Sequence, residues 1–231
     1  SWVFNGLVRF PPGSASPQDL EPDLAESWTT SEDGTEWVFT LKQDVKFHGD
    51  WGALTAEDVV YSLERAKDPE RSSFAAAYAA FETIEAVDDH TVRIVLAHPV
   101  PGFLGLVSNY HGGNIVSKAA AEQEGEDFGK QPVGTGPFAF ERYDTQQQVV
   151  FVAHDGYFRG APKIDEIDYR LIQADASREL AFASGELDLI YGKREQRWID
   201  RWAREETAKV DVFWPAEYRT LHLNTTMEPL T

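Results

Sequence analysis

Residues 23–48 read Asp23-Leu24-Ala25-Glu26-Ser27-Trp28-Thr29-Thr30-Ser31-Glu32-Asp33-Gly34-Thr35-Glu36-Trp37-Val38-Phe39-Thr40-Leu41-Lys42-Gln43-Asp44-Val45-Lys46-Phe47-His48. Two strand-like arms flank Ser31-Glu32-Asp33-Gly34, and Gly34 supplies the positive φ that a tight reversal needs. In the second arm Trp37, Phe39 and Leu41 share one side of a period-two pattern, while Val38, Thr40 and Lys42 share the other. Such alternation predicts a hairpin with one buried face and one mostly wet face. Any amphipathic hairpin would satisfy the pattern, so periodicity alone assigns no function.

Outward from the hairpin, Thr55-Ala56-Glu57-Asp58 opens a helix, with Thr55 as N-cap and Asp58 at the third helical position. Val59, Leu63 and Ala66 at i, i+4 and i+7 give it one buried stripe, and Asp68-Pro69 ends it. Phe74, Tyr78 and Phe81 predict a second short helix with an aromatic stripe. Strands are expected at 84–87 and 91–96, short helices at 103–107 and 117–124, and strands at 147–153 and 164–172. A helix over 175–184 is stopped by Gly185 and returns to a strand at 186–189. A last amphipathic helix spans 194–206, followed by strands at 210–214 and 218–224. Before the hairpin, 2–10 reads as a helix end passing into a strand, with the break at Gly6. The alternation predicts an α+β, mixed α/β fold.

The 231 residues carry 39 acidic and 21 basic side chains, a formal charge of −18 that repels phosphate backbones and anionic lipid surfaces. Nucleic acid is therefore not an expected partner. Cysteine is absent, which removes disulfides and thiolate metal sites. The six histidines, His48, His90, His98, His111, His154 and His222, never fall in a His-x-x-x-His or His-Glu-x-x-His spacing, so no metal ligands and no cofactor are assigned. Gly134-Thr135-Gly136-Pro137-Phe138 lacks the lysine and opening helix of a phosphate loop and continues into a strand. No nucleophile, paired carboxylate or metal constellation supports an enzyme.

The wording of several segments is more specific than their periodicity. Leu24-Ala25-Glu26-Ser27-Trp28, Ser31-Glu32-Asp33-Gly34, Val45-Lys46-Phe47, the 134–138 turn, the 157–164 connection and Ser184-Gly185-Glu186-Leu187-Asp188 occur in one order. That order resembles the family 5 bacterial solute-binding proteins, the receptors of peptide, dipeptide and nickel ABC importers. Three places depart from the family pattern: His48-Gly49-Asp50-Trp51 after the hairpin, and Asp155 and Phe158 where Asn and Trp are usual.

The resemblance implies a class II periplasmic-binding-protein-like fold, here partial. Residues 1–23 and 151–231 would belong to a discontinuous domain I and 24–150 to domain II, with the first strand and all of domain III outside these 231 residues. It implies an extracytoplasmic receptor, periplasmic or membrane-associated outside the cell, that captures di- or oligopeptides or a related solute and delivers it to the permease, acting as a monomer. A nickel-chelate receptor and a ligand-sensing domain of a transcription regulator are the alternatives; no arginine stands near Gly113, where nickel receptors contact the chelator.

The implied ligand-binding residues are Asn5, Gly6 and Leu7, whose backbone would pair with an extended ligand, together with Phe74, His111 and Tyr191. Core packing is the commoner meaning of an aromatic stripe such as that of Phe74, and a tyrosine following a strand, as Tyr191 does, is commonly an interfacial residue with a wet hydroxyl.

Overall fold

The computed structural model describes residues 1–14, 16–193 and 195–212. They fall into two compact units, the first Ser1–Ser177 and the second beginning at Arg178.

In the first unit, β1 (Val8–Arg9) and β2 (Glu21–Pro22) form a short antiparallel pair. The hairpin follows as β3 (Ala25–Thr30) and β4 (Glu36–Leu41), with Thr30 opposite Trp37 and Trp28 opposite Phe39. Its reversal closes as expected: Gly34 sits at φ +71°, and the Ser31 hydroxyl oxygen accepts the amides of Thr35 at 3.2 Å and Glu36 at 2.9 Å. Phe39 and Leu41 face the core, fully buried.

Helix α1 (Ala56–Lys67) crosses to β5 (Phe81–Asp88), which turns back into β6 (Thr91–Leu96). The four strands form one antiparallel sheet in the order β3-β4-β6-β5, and α1 covers β5 and β6. Phe39 and Phe81 meet Phe103 of α2 (Phe103–Leu106) through ring contacts, Tyr78 meets Phe81, and Trp37 lies tilted against Phe103 at 4.7 Å. This aromatic seam makes the hairpin central: its buried face is the floor on which the rest packs.

The capping box of α1 is present, and it does more than cap. Asp58, almost fully buried, takes the Thr55 amide and hydroxyl on one oxygen, both at 2.9 Å, and the Lys118 amide on the other at 2.9 Å. One carboxylate thus fastens the start of α1 to the start of α3 (Lys118–Glu124), whose own cap, Ser117, accepts the Ala120 amide. Asp58→Ala in the full-length protein is expected to cost about 2 kcal/mol of unfolding free energy in urea, the scale of charged hydrogen bonds lost with their donors left behind. A loss below about 0.5 kcal/mol, the scale of an ordinary surface substitution, would show that water replaces the carboxylate.

A second antiparallel sheet, β7 (Phe138–Asp144), β8 (Gln148–Ala153) and β9 (Glu166–Arg170), completes the unit, with Trp2 edge-on to Phe151 and Tyr169. Helix α4 (Asp175–Ala183) leads into the second unit. There Gly185, at φ +79°, donates to Phe182 and Glu186 donates to Ala181, the helix stop expected of this glycine. Helix α5 (Gln196–Trp202) packs Trp202 against Phe182, while Glu179 accepts the Trp198 indole N–H at 2.8 Å.

Four expectations are corrected. Residues 2–6 form no helix: a Cβ on Gly6 would lie 2.4 Å from the backbone of Ser108 and Asn109, so this segment is an extended strap threaded against another backbone. The second short helix shrinks to a 3-10 turn, Ala75–Tyr78, because Phe81 already belongs to β5. The strand expected at 186–189 is absent, the chain turning there without sheet pairing. Residues 210–212 are not in a strand either, while the rest of that segment and 218–224 lie outside the described residues.

Candidate functional site

The strap at 5–7 is held by its neighbours through its own polar groups. The Asn5 carbonyl accepts from Ile115 at 2.9 Å, the Gly6 carbonyl from Leu24 at 3.0 Å, and the Leu7 amide donates to Val107 at 2.8 Å. The Leu7 carbonyl accepts from both Asp23 and Ala25. These groups already have partners inside the chain, so a ligand strand pairing with them would first have to displace those partners.

The Asn5 side chain is the hub of a buried network. Its amide N–H groups donate to Asp23 Oδ2 at 2.8 Å and to Tyr157 Oη at 3.4 Å, and its Oδ1 accepts the Thr135 hydroxyl at 3.1 Å. Asp23 in turn takes Arg159 Nε at 3.0 Å, and the same guanidinium reaches the Pro22 carbonyl. Burial pushes the Asp23 carboxyl above the usual carboxylate range; the Asn5 hydrogen bond and the Arg159 charge pull it part of the way back. The network brings residues 5, 23, 135, 157 and 159 to one point, which no local sequence pattern announces.

A second buried point lies at His48. Nε2 donates to the Gly136 carbonyl at 2.9 Å and Nδ1 accepts the Gly134 amide at 3.4 Å, an arrangement that only the neutral ring satisfies. The His154 ring stands edge-on at 4.9 Å and also reaches the Gly136 carbonyl. Burial, with a smaller push from His154, lowers the His48 pKa to about 4.

Phe74 and His111 do come together, their rings 4.3 Å apart, and the Tyr110 ring stands 3.7 Å from that of His111. They share the wall of a cavity of about 220 Å³ with Arg65, Arg71, Ser72 and Asn114. Beneath it Tyr78, its phenol pushed up to about 12 by burial, donates to the Leu106 carbonyl at 2.8 Å and so stays a donor at any physiological pH. The Asn5 carbonyl, through Ile115, ties the strap to the 111–115 segment of this wall. Tyr191 belongs to the second unit, where it is 73% exposed. Arg65, Arg71 and Asn114 were not singled out from sequence; the available signal was two arginines six residues apart at a helix end in an acidic chain.

Among the described residues, no group of three or more His, Asp or Glu side chains is placed to hold a metal ion, and no helix is long and apolar enough to cross a membrane.

Residues 19–231 match the model of the bacterial extracellular solute-binding proteins, family 5 Middle. Di/tripeptide-binding protein 2 of Pseudomonas aeruginosa is 35% identical over 186 residues, 71% of this chain and 34% of that protein. Heme-binding protein A of Haemophilus influenzae is 32% identical over 213 residues, 81% of this chain and 38% of that protein. The chain thus spans little more than a third of the length of these curated relatives. Among solved structures, MoaA of A. tumefaciens R10 in complex with mannopinic acid superposes with a TM-score of 0.93 at 47% identity, covering 99% of this chain and 46% of that one. DppA of Helicobacter pylori in complex with the peptide STSA gives 0.77 at 26%, covering 89% and 43%.

Proposed function

The chain belongs to the family 5 bacterial extracellular solute-binding proteins, and we propose that it is part of the extracytoplasmic receptor of an ABC importer, capturing a small amino-acid-derived solute and passing it to the membrane permease. The family is one of binding proteins, and the mixed helix and sheet architecture is that of periplasmic binding proteins of class II. In this reading 1–23 and 151–231 contribute to domain I and 24–150 to domain II, and an opposing lobe encoded by later sequence closes over the solute. Phe74 and His111 line the cleft, Asn5, Gly6 and Leu7 border it, and Tyr191 is a further ligand-binding residue of domain I.

An opine of the mannopinic acid type is the leading cargo. The observation that supports it is the likeness, across nearly the whole chain, to a structure holding that compound. Di- and tripeptides are the second reading, favoured by the names of several curated relatives. Both cargoes are small, polar and carboxylated, and both suit a clamp that satisfies polar groups from two lobes at once.

Calorimetry of the full-length protein with mannopinic acid and with dialanine tests the assignment. Saturable binding of the opine, with dialanine weaker by about tenfold or more, is the expected result. The reverse order assigns peptides. If neither binds, and native mass spectrometry of the protein from its own host finds no retained small molecule, the receptor reading fails.

A further inference from the structure

We infer that the cavity beside Phe74 takes a carboxylate-bearing end of the solute. This deepens the receptor role proposed above and rests on it.

The chain carries −18 formal charges, so a concave wall with two guanidiniums and no carboxylate is against its average. Arg65, at the end of α1, makes no ion pair among the described residues. Among the described residues Arg71 pairs with Asp68 alone, at 3.4 Å, with its side chain 57% exposed. A surface arginine in an acidic protein is ordinarily just solvated. Their setting argues against that reading here, because Arg65 and Arg71 line one concave wall together with Phe74 and His111, whose rings stand 4.3 Å apart.

The wall therefore offers two cations for an anion, the complement of a carboxylate. Phe74 and His111 add an apolar shelf, Phe74 being 39% exposed. At about 220 Å³ the cavity is smaller than the roughly 300–1,000 Å³ of a pocket enclosing a whole drug-sized ligand, so it suits one end of a solute. Arginine is the side chain for that task, its planar fork matching a carboxylate in two parallel hydrogen bonds.

Calorimetry of the full-length protein with mannopinic acid is the first test. Arg65→Gln and Arg71→Gln are each expected to weaken binding about tenfold or more, while Arg142→Gln, on β7, leaves it unchanged. Wild-type affinity in both cavity variants would overturn the inference and leave the receptor reading standing. The second test needs no cargo: phenylglyoxal modification of Arg65 and Arg71, read by peptide mass spectrometry with and without succinate as probe. Slower modification of both arginines in succinate, with Arg142 unaffected, supports the site. Equal rates overturn it, even for a protein that binds neither mannopinic acid nor dialanine and so fails the receptor reading.

Discussion

Asp23→Ala is expected to lower the unfolding free energy of the full-length protein by about 3 kcal/mol, measured by urea denaturation at neutral pH. Asp23 is fully buried and accepts from Asn5 on one oxygen and from Arg159 on the other. Its carboxylate is costly to keep there, as the raised pKa records, so the wild-type arrangement is not itself a large source of stability. Removing it is worse, because the buried Asn5 amide loses its acceptor and Arg159 loses its nearer counter-charge at once, keeping Glu21 at 3.9 Å. The side chain of Arg159 is 25% exposed and recovers part of its loss from water, which sets the expectation at the low end for a broken buried pair. Asp23→Asn separates the contributions. Its amide can turn its oxygen toward only one of the two donors and must set its own N–H groups against the other, so a smaller loss of about 1–2 kcal/mol is expected. A loss below 1 kcal/mol for the alanine variant would mean that the strap is held by its backbone bonds alone.

That network also marks the boundary of what the sequence reveals. The hairpin, the cap of α1 and the stop at Gly185 were legible because each is decided by residues a few positions apart. Segment 2–6 was misjudged because its partners stand at 107, 108, 115, 134 and 136, and nothing within it records them. Asn5 was picked out by family resemblance for its backbone, whereas its side chain turns out to bind three distant segments, at 23, 135 and 157, together. The cavity was half legible: Phe74 and His111 were named, but Arg65 reads in sequence as one more charge on a solvated helix face. Only the three-dimensional approach of the 71–74 and 111–114 segments to α1 turns that charge toward a shared cavity.

His48 carries the second large expectation, a loss of stability in mild acid. Above pH 6.5 the ring is neutral in both the folded and the unfolded chain, and its hydrogen bonds to Gly134 and Gly136 are intact. As pH falls through 6.5 the unfolded chain takes up a proton that the folded one, with a pKa of about 4, does not. The unfolded state binds more protons across that interval, so stability falls with falling pH. The loss from this one ring reaches about 2 kcal/mol at pH 5 and about 3 kcal/mol below pH 4, where the folded ring protonates as well. Protonation also turns Nδ1 into a donor facing the Gly134 amide, two donors with no acceptor between them. The many carboxylates of the chain contribute their own pH dependence, so the informative quantity is a difference of differences. Unfolding free energies at pH 7.5 and pH 5 are compared for wild type and His48→Gln in the full-length protein, which cancels what the carboxylates share. The glutamine amide N–H can still donate to Gly136, so the variant is expected to fold, weaker at pH 7.5 but with its acid loss reduced by about 2 kcal/mol. An unchanged acid loss, or an NMR titration placing the His48 ring near 6.5, would mean that water reaches the ring and that the Gly134–Gly136 bend is not gated by its proton.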